Sequence, residues 1–175
     1  QKTYGVSDWE SASAIATTPD GGYIVVGWTG SKDGDVSGNH GTNDFWVVKL
    51  DKDGNIIWQR TLGGSNLDLA QDVAVTPDGG CIVVGWTRSN DGDVSGNHGM
   101  EDVWIVKLDK DGNVVWKKTY GGSDEDYAFS IIATKDGGYI VAGDTRSSDG
   151  DVSKNHSPIW WSDAWVVKLD SNGNI

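Results

Sequence analysis

The sequence predicts an all-β protein made of three copies of one unit, and three observations carry that prediction. The segment Thr18-Pro-Asp-Gly-Gly22 recurs at Thr76 to Gly80 and, as Thr-Lys-Asp-Gly-Gly, at Thr134 to Gly138, a step of 58 residues each time. The segment Asp33-Gly-Asp-Val-Ser-Gly-Asn-His40 recurs at Asp91 to His98 and, with Lys154 in place of the glycine, at Asp149 to His156. Between these markers, β-branched and aromatic runs are separated by turn residues, and no segment shows a helical period of 3.6. The chain of 175 residues therefore reads as one repeat domain with units at approximately 1–58, 59–116 and 117–175. In such an array each unit buries surface on the next.

In the first copy the expected strands are Ala12 to Thr17, Tyr23 to Thr29, Phe45 to Leu50 and Asn55 to Thr61. Pro19-Asp-Gly-Gly22 links the first pair and Asp51-Lys-Asp-Gly-Asn55 the second, both offering Gly or Asn where a hairpin needs positive φ. The strands are apolar on both faces. Ile24, Val26 and Trp28 point one way and Tyr23 and Val25 the other, while Phe45 and Val47 back Trp46, Val48 and Leu50. A four-stranded antiparallel sheet covered on both faces by like sheets is the blade of a β-propeller, so three blades per chain are expected. The Ala and Ser of the first strand suit a crowded centre. A β-trefoil, also three units of four strands, is the alternative. It has shorter repeats and one buried face per strand, which fits the two-faced strands less well.

The ends bear on assembly. Gln1 aligns with Gln59 and Lys117, and Ile175 with Ile56 and Val114, so joining the ends restores the repeat except for the places of Ile57 and Trp58. Rings ordinarily need at least four blades. The expectation is that two chains close into a six-bladed homodimer, or that the chain is a fragment of a longer array. A third-copy loop has diverged, with three extra residues between His156 and Asp163.

Composition narrows the function. A formal charge of -12 repels nucleic acid and anionic lipid, and no apolar run reaches the length of about 18 residues that a membrane helix needs. Ten Trp and 25 Gly fit short strands, tight turns and aromatic wedges. Cys81 stands where the sister copies have Tyr23 and Tyr139 and is expected to fill core space with no disulfide role. The start, Gln-Lys-Thr-Tyr-Gly, is not a signal peptide, so a secreted protein would need a leader outside this sequence.

The run DFWVVKLDKDGNIIWQRTLGGS, followed by TPDGGYIVVGWT and SKDGDVSGNHG, resembles the tandem repeats of large secreted or surface-attached bacterial propeller proteins. LDKDGNIIW is similar to the last two strands of quinoprotein-type blades. The resemblance covers the whole chain and implies a propeller fold in a secreted or cell-surface setting. It carries over no catalytic residue. Near-identical copies also suit an excised or engineered repeat fragment.

The sharpest motif is the Asp-rich loop. Read as a calcium loop, Asp33, Asp35, Ser37 and Asp44 supply oxygens at positions 1, 3, 5 and 12, and Asn39 its carbonyl at 7, with Gly38 at the sharp turn. Asp91, Asp93, Ser95, Asn97 and Asp102 repeat the pattern. Asp149, Asp151, Ser153 and Asn155 repeat it imperfectly, because Lys154 brings a positive charge and Trp160 falls at position 12. The competing reading is a long turn whose Asp, Ser and Asn side chains bond nearby amides. Asp at position 12 in place of Glu, and His40 at a usually hydrophobic position, count against calcium. No organic cofactor is expected.

His40, His98 and His156 share one repeated position, too far apart for a common metal and expected to bond within their own loops. No nucleophile elbow or zinc-spaced pair is present, so the chain is expected not to be an enzyme. Trp46, Trp104, Trp165, Trp58 and Trp116 are expected to be buried wedges. Trp160 and Trp161, adjacent in the diverged loop, could form a platform for a sugar ring or a partner protein. The function expected is a non-catalytic binding or scaffolding module, with carbohydrate binding as the alternative and hydrolysis of a polysaccharide or phosphoester behind both.

Overall fold

The structure, a computed structural model, describes residues 1–5, 7–156 and 161–175. Among them the regular elements are all strands. The first copy supplies β1 (Glu10–Thr17), β2 (Tyr23–Thr29), β3 (Asp44–Leu50) and β4 (Ile56–Leu62). The second supplies β5 (Asp68–Val75), β6 (Cys81–Thr87), β7 (Asp102–Leu108) and β8 (Val114–Tyr120), and the third β9 (Asp126–Ala133), β10 (Tyr139–Thr145) and β11 (Asp163–Leu169). The expected strands agree with these to within two residues at either end.

Each copy folds into its own antiparallel meander, in the orders β1-β2-β3-β4, β5-β6-β7-β8 and β9-β10-β11. The turns explain why. In the β3–β4 hairpin, Asp51 Oδ1 accepts from the amides of Asp53 and Asn55, and Gly54 takes a φ of 77° that an L side chain resists. In the β1–β2 turn Asp20 accepts from Gly22 N and from the buried Lys49, which ties the turn to β3.

The three sheets stack in chain order. β5 packs against β1 and β2 on one side and against β9 on the other, so the first strands of successive sheets adjoin in a propeller-like arrangement. A trefoil would share one barrel among the copies. Here each sheet takes its strands from a single copy, and an isolated bridge joins Asn43 to Leu67.

The two-faced pattern is what lets the sheets stack. Ile24, Val26, Phe45 and Val47 of the first sheet form one core with Cys81, Val83, Trp104 and Val106 of the second. Ile82, Val84, Val103 and Ile105 on the other face of the second sheet meet Tyr139, Val141 and Val167 of the third. Cys81 is a free, fully buried thiol, and burial pushes its pKa up to about 12, which suits a core filler.

The tryptophans divide by place. Trp46 and Trp104 are buried. Trp58 and Trp116 are only half-buried, because they lie on the last strand of a sheet and reach over the next sheet's hairpin, donating Nε1 to the carbonyls of Lys110 and Ser171. Trp165 is half-buried as well, on β11, which is an edge strand of its sheet among the described residues.

Candidate functional site

The Asp-rich loops join β2 to β3, β6 to β7 and β10 to β11. Their first aspartates brace the chain that enters the same sheet. Asp33 Oδ1 accepts from Ser7 Oγ at 2.7 Å, Asp91 Oδ1 from Ser65 N at 2.8 Å and Asp149 Oδ1 from Ser123 N at 2.8 Å. Those amide bonds hold Asp91 and Asp149 below the usual carboxylate range. At the third position, Asp35 Oδ2 accepts from Gly5 N at 3.5 Å, Asp93 Oδ1 from Lys117 Nζ at 2.9 Å and Asp151 Oδ2 from Gly121 N at 3.2 Å. Ser37 Oγ accepts from Gln59, and the Ser95 carbonyl from Thr119. Asn39, Asn97 and Asn155 donate to the carbonyls of Thr29, Thr87 and Thr145. Ser153 is exposed.

The last position turns inward. Asp44 and Asp102 are fully buried, and each accepts from the backbone N and from Nδ1 of the histidine in its own loop, His40 at 2.8 and 2.7 Å and His98 at 2.9 and 2.6 Å. Asp163, displaced by the insertion, receives the same pair of contacts from His156. The histidines thus bond within their loops, as their repeated position suggests. Among the described residues no three His, Cys, Asp or Glu side chains are gathered closely enough to hold a metal. The oxygens that the spacing offers to calcium are spread over separate hydrogen bonds.

A second feature was not legible in the motif. Each junction between sheets encloses two carboxyls. A Cβ on Gly63 would stand 2.6 Å from Asp44 Oδ1 and from Asp68 Oδ2, so these oxygens, from adjacent sheets, are at most twice that far apart. Gly121 lies in the same way between Asp102 and Asp126. All four carboxyls are buried, and Asp44 Oδ1 and Asp102 Oδ1 have no hydrogen-bond partner among the described residues. Burial pushes the Asp44 and Asp102 carboxyls up. It pushes Asp68 up to about 6, with the charge of Asp44 adding to burial and bonds from Thr87, Gly64 and Ser89 opposing it.

These shifts set a pH window. For Asp68 the folded pKa lies above the ordinary value, so its contribution is complete below about pH 4 and is lost as pH rises through about 6. Asp78 behaves oppositely. Burial raises it, but bonds from Thr76 and Lys107 outweigh burial and bring it to about 2, so its contribution is lost as pH falls from about 4 towards 2. The melting temperature is expected to be highest near pH 5 and lower at both pH 7.5 and pH 2.5. Asp68→Asn should flatten the decline between pH 5 and 7.5, and a wild-type melting temperature that rises steadily to pH 7.5 would contradict the account.

A third feature lies where β1 begins and β2 ends. A cavity of about 340 Å³ is lined by Asp8, Trp9, Trp28, Gly30, Thr42 and Asn43. Trp9 is 77% exposed, yet its backbone is pinned: Trp9 O accepts from Gly30 N, Trp9 N donates to Asp8 Oδ1, and Asp8 N donates to Ser31 Oγ. Trp161, 71% exposed, occupies the third copy's equivalent of Thr42, counted back from the strand-opening aspartate. Trp160 lies outside the described residues. Among the described residues no helix is long and apolar enough to cross a membrane.

No family model matches the chain. Over 94% of its length it is 27% identical to the regulatory protein FlaEY of Caulobacter vibrioides, of which it spans 18%. A crystal structure of a protein of unknown function from Bacteroides caccae superposes with a TM-score of 0.53 at 14% identity, covering 98% of this chain and 46% of that one. That likeness concerns the fold.

Proposed function

We propose that the chain is a non-catalytic binding and scaffolding module: an arc of propeller blades that closes with a second copy into a six-bladed ring and presents its loops on a rigid frame. The observation that carries this reading is how the N-terminal segment is held. Tyr4 donates its hydroxyl to Gly54 O in the first sheet's hairpin, as Tyr120 of β8 does to Gly173 O in the third. Lys2 reaches Asn55 as Lys118 reaches Asn174. Residues 1–4 therefore occupy, on the first sheet, the place that the last strand of one sheet takes on the next.

The opposite end offers the complement. Ile132 and Val166 on the outer face of the third sheet are 56% and 67% exposed, whereas their counterparts in the second copy, Ala74 and Ile105, belong to the core against the third sheet. An apolar face repeating one that is covered twice within the chain calls for the same cover. A two-fold closed ring supplies it without an open end. The likeness to a protein named as regulatory agrees with a role in interaction, and a secreted or surface setting belongs to the same reading.

Light scattering tests it. The expected mass is twice 18.7 kDa, and a well-folded monomer at micromolar concentration would overturn the ring.

A further inference from the structure

The three copies can be compared with one another, and several of the places where they differ adjoin at one end of the sheet. Trp9, Leu67 and Glu125 share one position, as do Asn43, Glu101 and Ser162. Trp28 and Trp86 correspond to Asp144, and Gly30 to Arg88 and Arg146. In the register of the first sheet these positions adjoin: Trp28 pairs with Ser11 on β1 and with Phe45 on β3, and Gly30 N bonds to Trp9 O. They form one patch across the three inner strands, on one face and at one end. The turn at the opposite end, Thr18 to Gly22 and its two equivalents, is almost unchanged. The third copy's insertion falls at the variable end. Loop-end positions that change from copy to copy are where contacts particular to one blade can sit.

What fills the patch differs between copies. In the second, the Arg88 guanidinium is paired with Glu101, and in the third Arg146 is paired with Glu125. In the first copy the same positions hold Gly30, Asn43 and Trp9, so no ion pair closes the space and a cavity between two indoles stays open. We infer that this cavity is a binding site for a neutral saccharide. The inference rests on the reading of the chain as a binding module and names the ligand class of its first blade.

The chemistry of the lining selects that class. Trp9 and Trp28 offer flat apolar surfaces on which the C–H face of a pyranose can stack, and the Asp8 carboxylate and Asn43 amide offer the acceptors and donors that hydroxyls need. The lining has a carboxylate and no cation, and the whole chain carries -12, so an acidic sugar is disfavoured. The backbone at Trp9 is already fixed by its hydrogen bonds with Gly30 and Asp8 and by that of Asp8 with Ser31, so binding has only the indole's own side-chain torsions left to order there.

The test is calorimetric titration of the intact chain with cellohexaose, xylohexaose, maltohexaose and, as the acidic control, hexagalacturonate. At least one neutral hexasaccharide should bind. Trp9→Ala should weaken it about tenfold, the worth of one aromatic contact. The double variant G30R/N43E, which rebuilds the ion pair of the second copy inside the cavity, should abolish binding while the protein still unfolds in one cooperative thermal transition. The inference is overturned if none of the neutral sugars binds, if only hexagalacturonate binds, or if both variants bind as the wild type does. The mass of the same samples by light scattering judges the ring separately, so loss of the sugar site and loss of the ring reading are distinguishable.

Discussion

Trp104→Ala is expected to destabilise the protein by about 3–5 kcal/mol, the usual cost of removing a large buried aromatic. Trp104 is 1% exposed and meets Phe45 of the first sheet with ring centroids 4.6 Å apart. It therefore fills the seam between two sheets, and its loss leaves a cavity bordered by rigid strands from both sides. Strands hydrogen-bonded into separate sheets cannot collapse into that space independently, so little of the cavity should be recovered. Trp165→Ala, at the corresponding position of the third copy, should cost markedly less because that ring is already half-exposed. Urea unfolding of both variants measures the difference. Equal losses would mean that the seam does not carry stability as its packing implies.

How far the sequence foretold this follows from where the information lies. The two faces of β2 and β3 are read from alternation alone, since side chains two apart share a face, and Ile24 and Tyr23 duly enter different cores. The end of the Asp-rich loop is different. Spacing places Asp44 twelfth in a calcium-like loop, but whether its carboxyl turns towards the loop or into the junction depends on Gly63, more than a strand away, and on Asp68 in the next sheet. Such a pairing has no local signature. Trp58 and Trp116 illustrate the same limit, because their indoles answer to a hairpin of the following copy. The cavity at Trp9 had a signal that motif reading passes over: it lies where otherwise similar copies disagree.

The same close approach of strands gives the other large effect, at Gly85. This glycine lies on β6 opposite the bulge of β5, between Ala70 and Asp72, where an extra residue crowds the ladder. A Cβ there would stand 2.1 Å from Leu69 O and 2.8 Å from Ala70 Cα, both backbone atoms that no rotamer can move. Gly27 and Gly143 face Ser11 O and Tyr127 O in the same way at 1.8 Å, so the requirement is built into each sheet. Gly85→Ala must shift β5 or β6, and β5 is wedged between the first and third sheets, so a loss of about 3 kcal/mol or more is expected, at the upper end for overpacking. Gly137→Ala is the comparison. Its φ of 83° disfavours alanine, but nothing lies within 4 Å of the added carbon, so only left-handed strain of about 1–2 kcal/mol applies. Thermal unfolding of the two variants ranks contact against strain, and a Gly85→Ala variant no less stable than Gly137→Ala would show that the bulge yields where its neighbours are predicted to hold it.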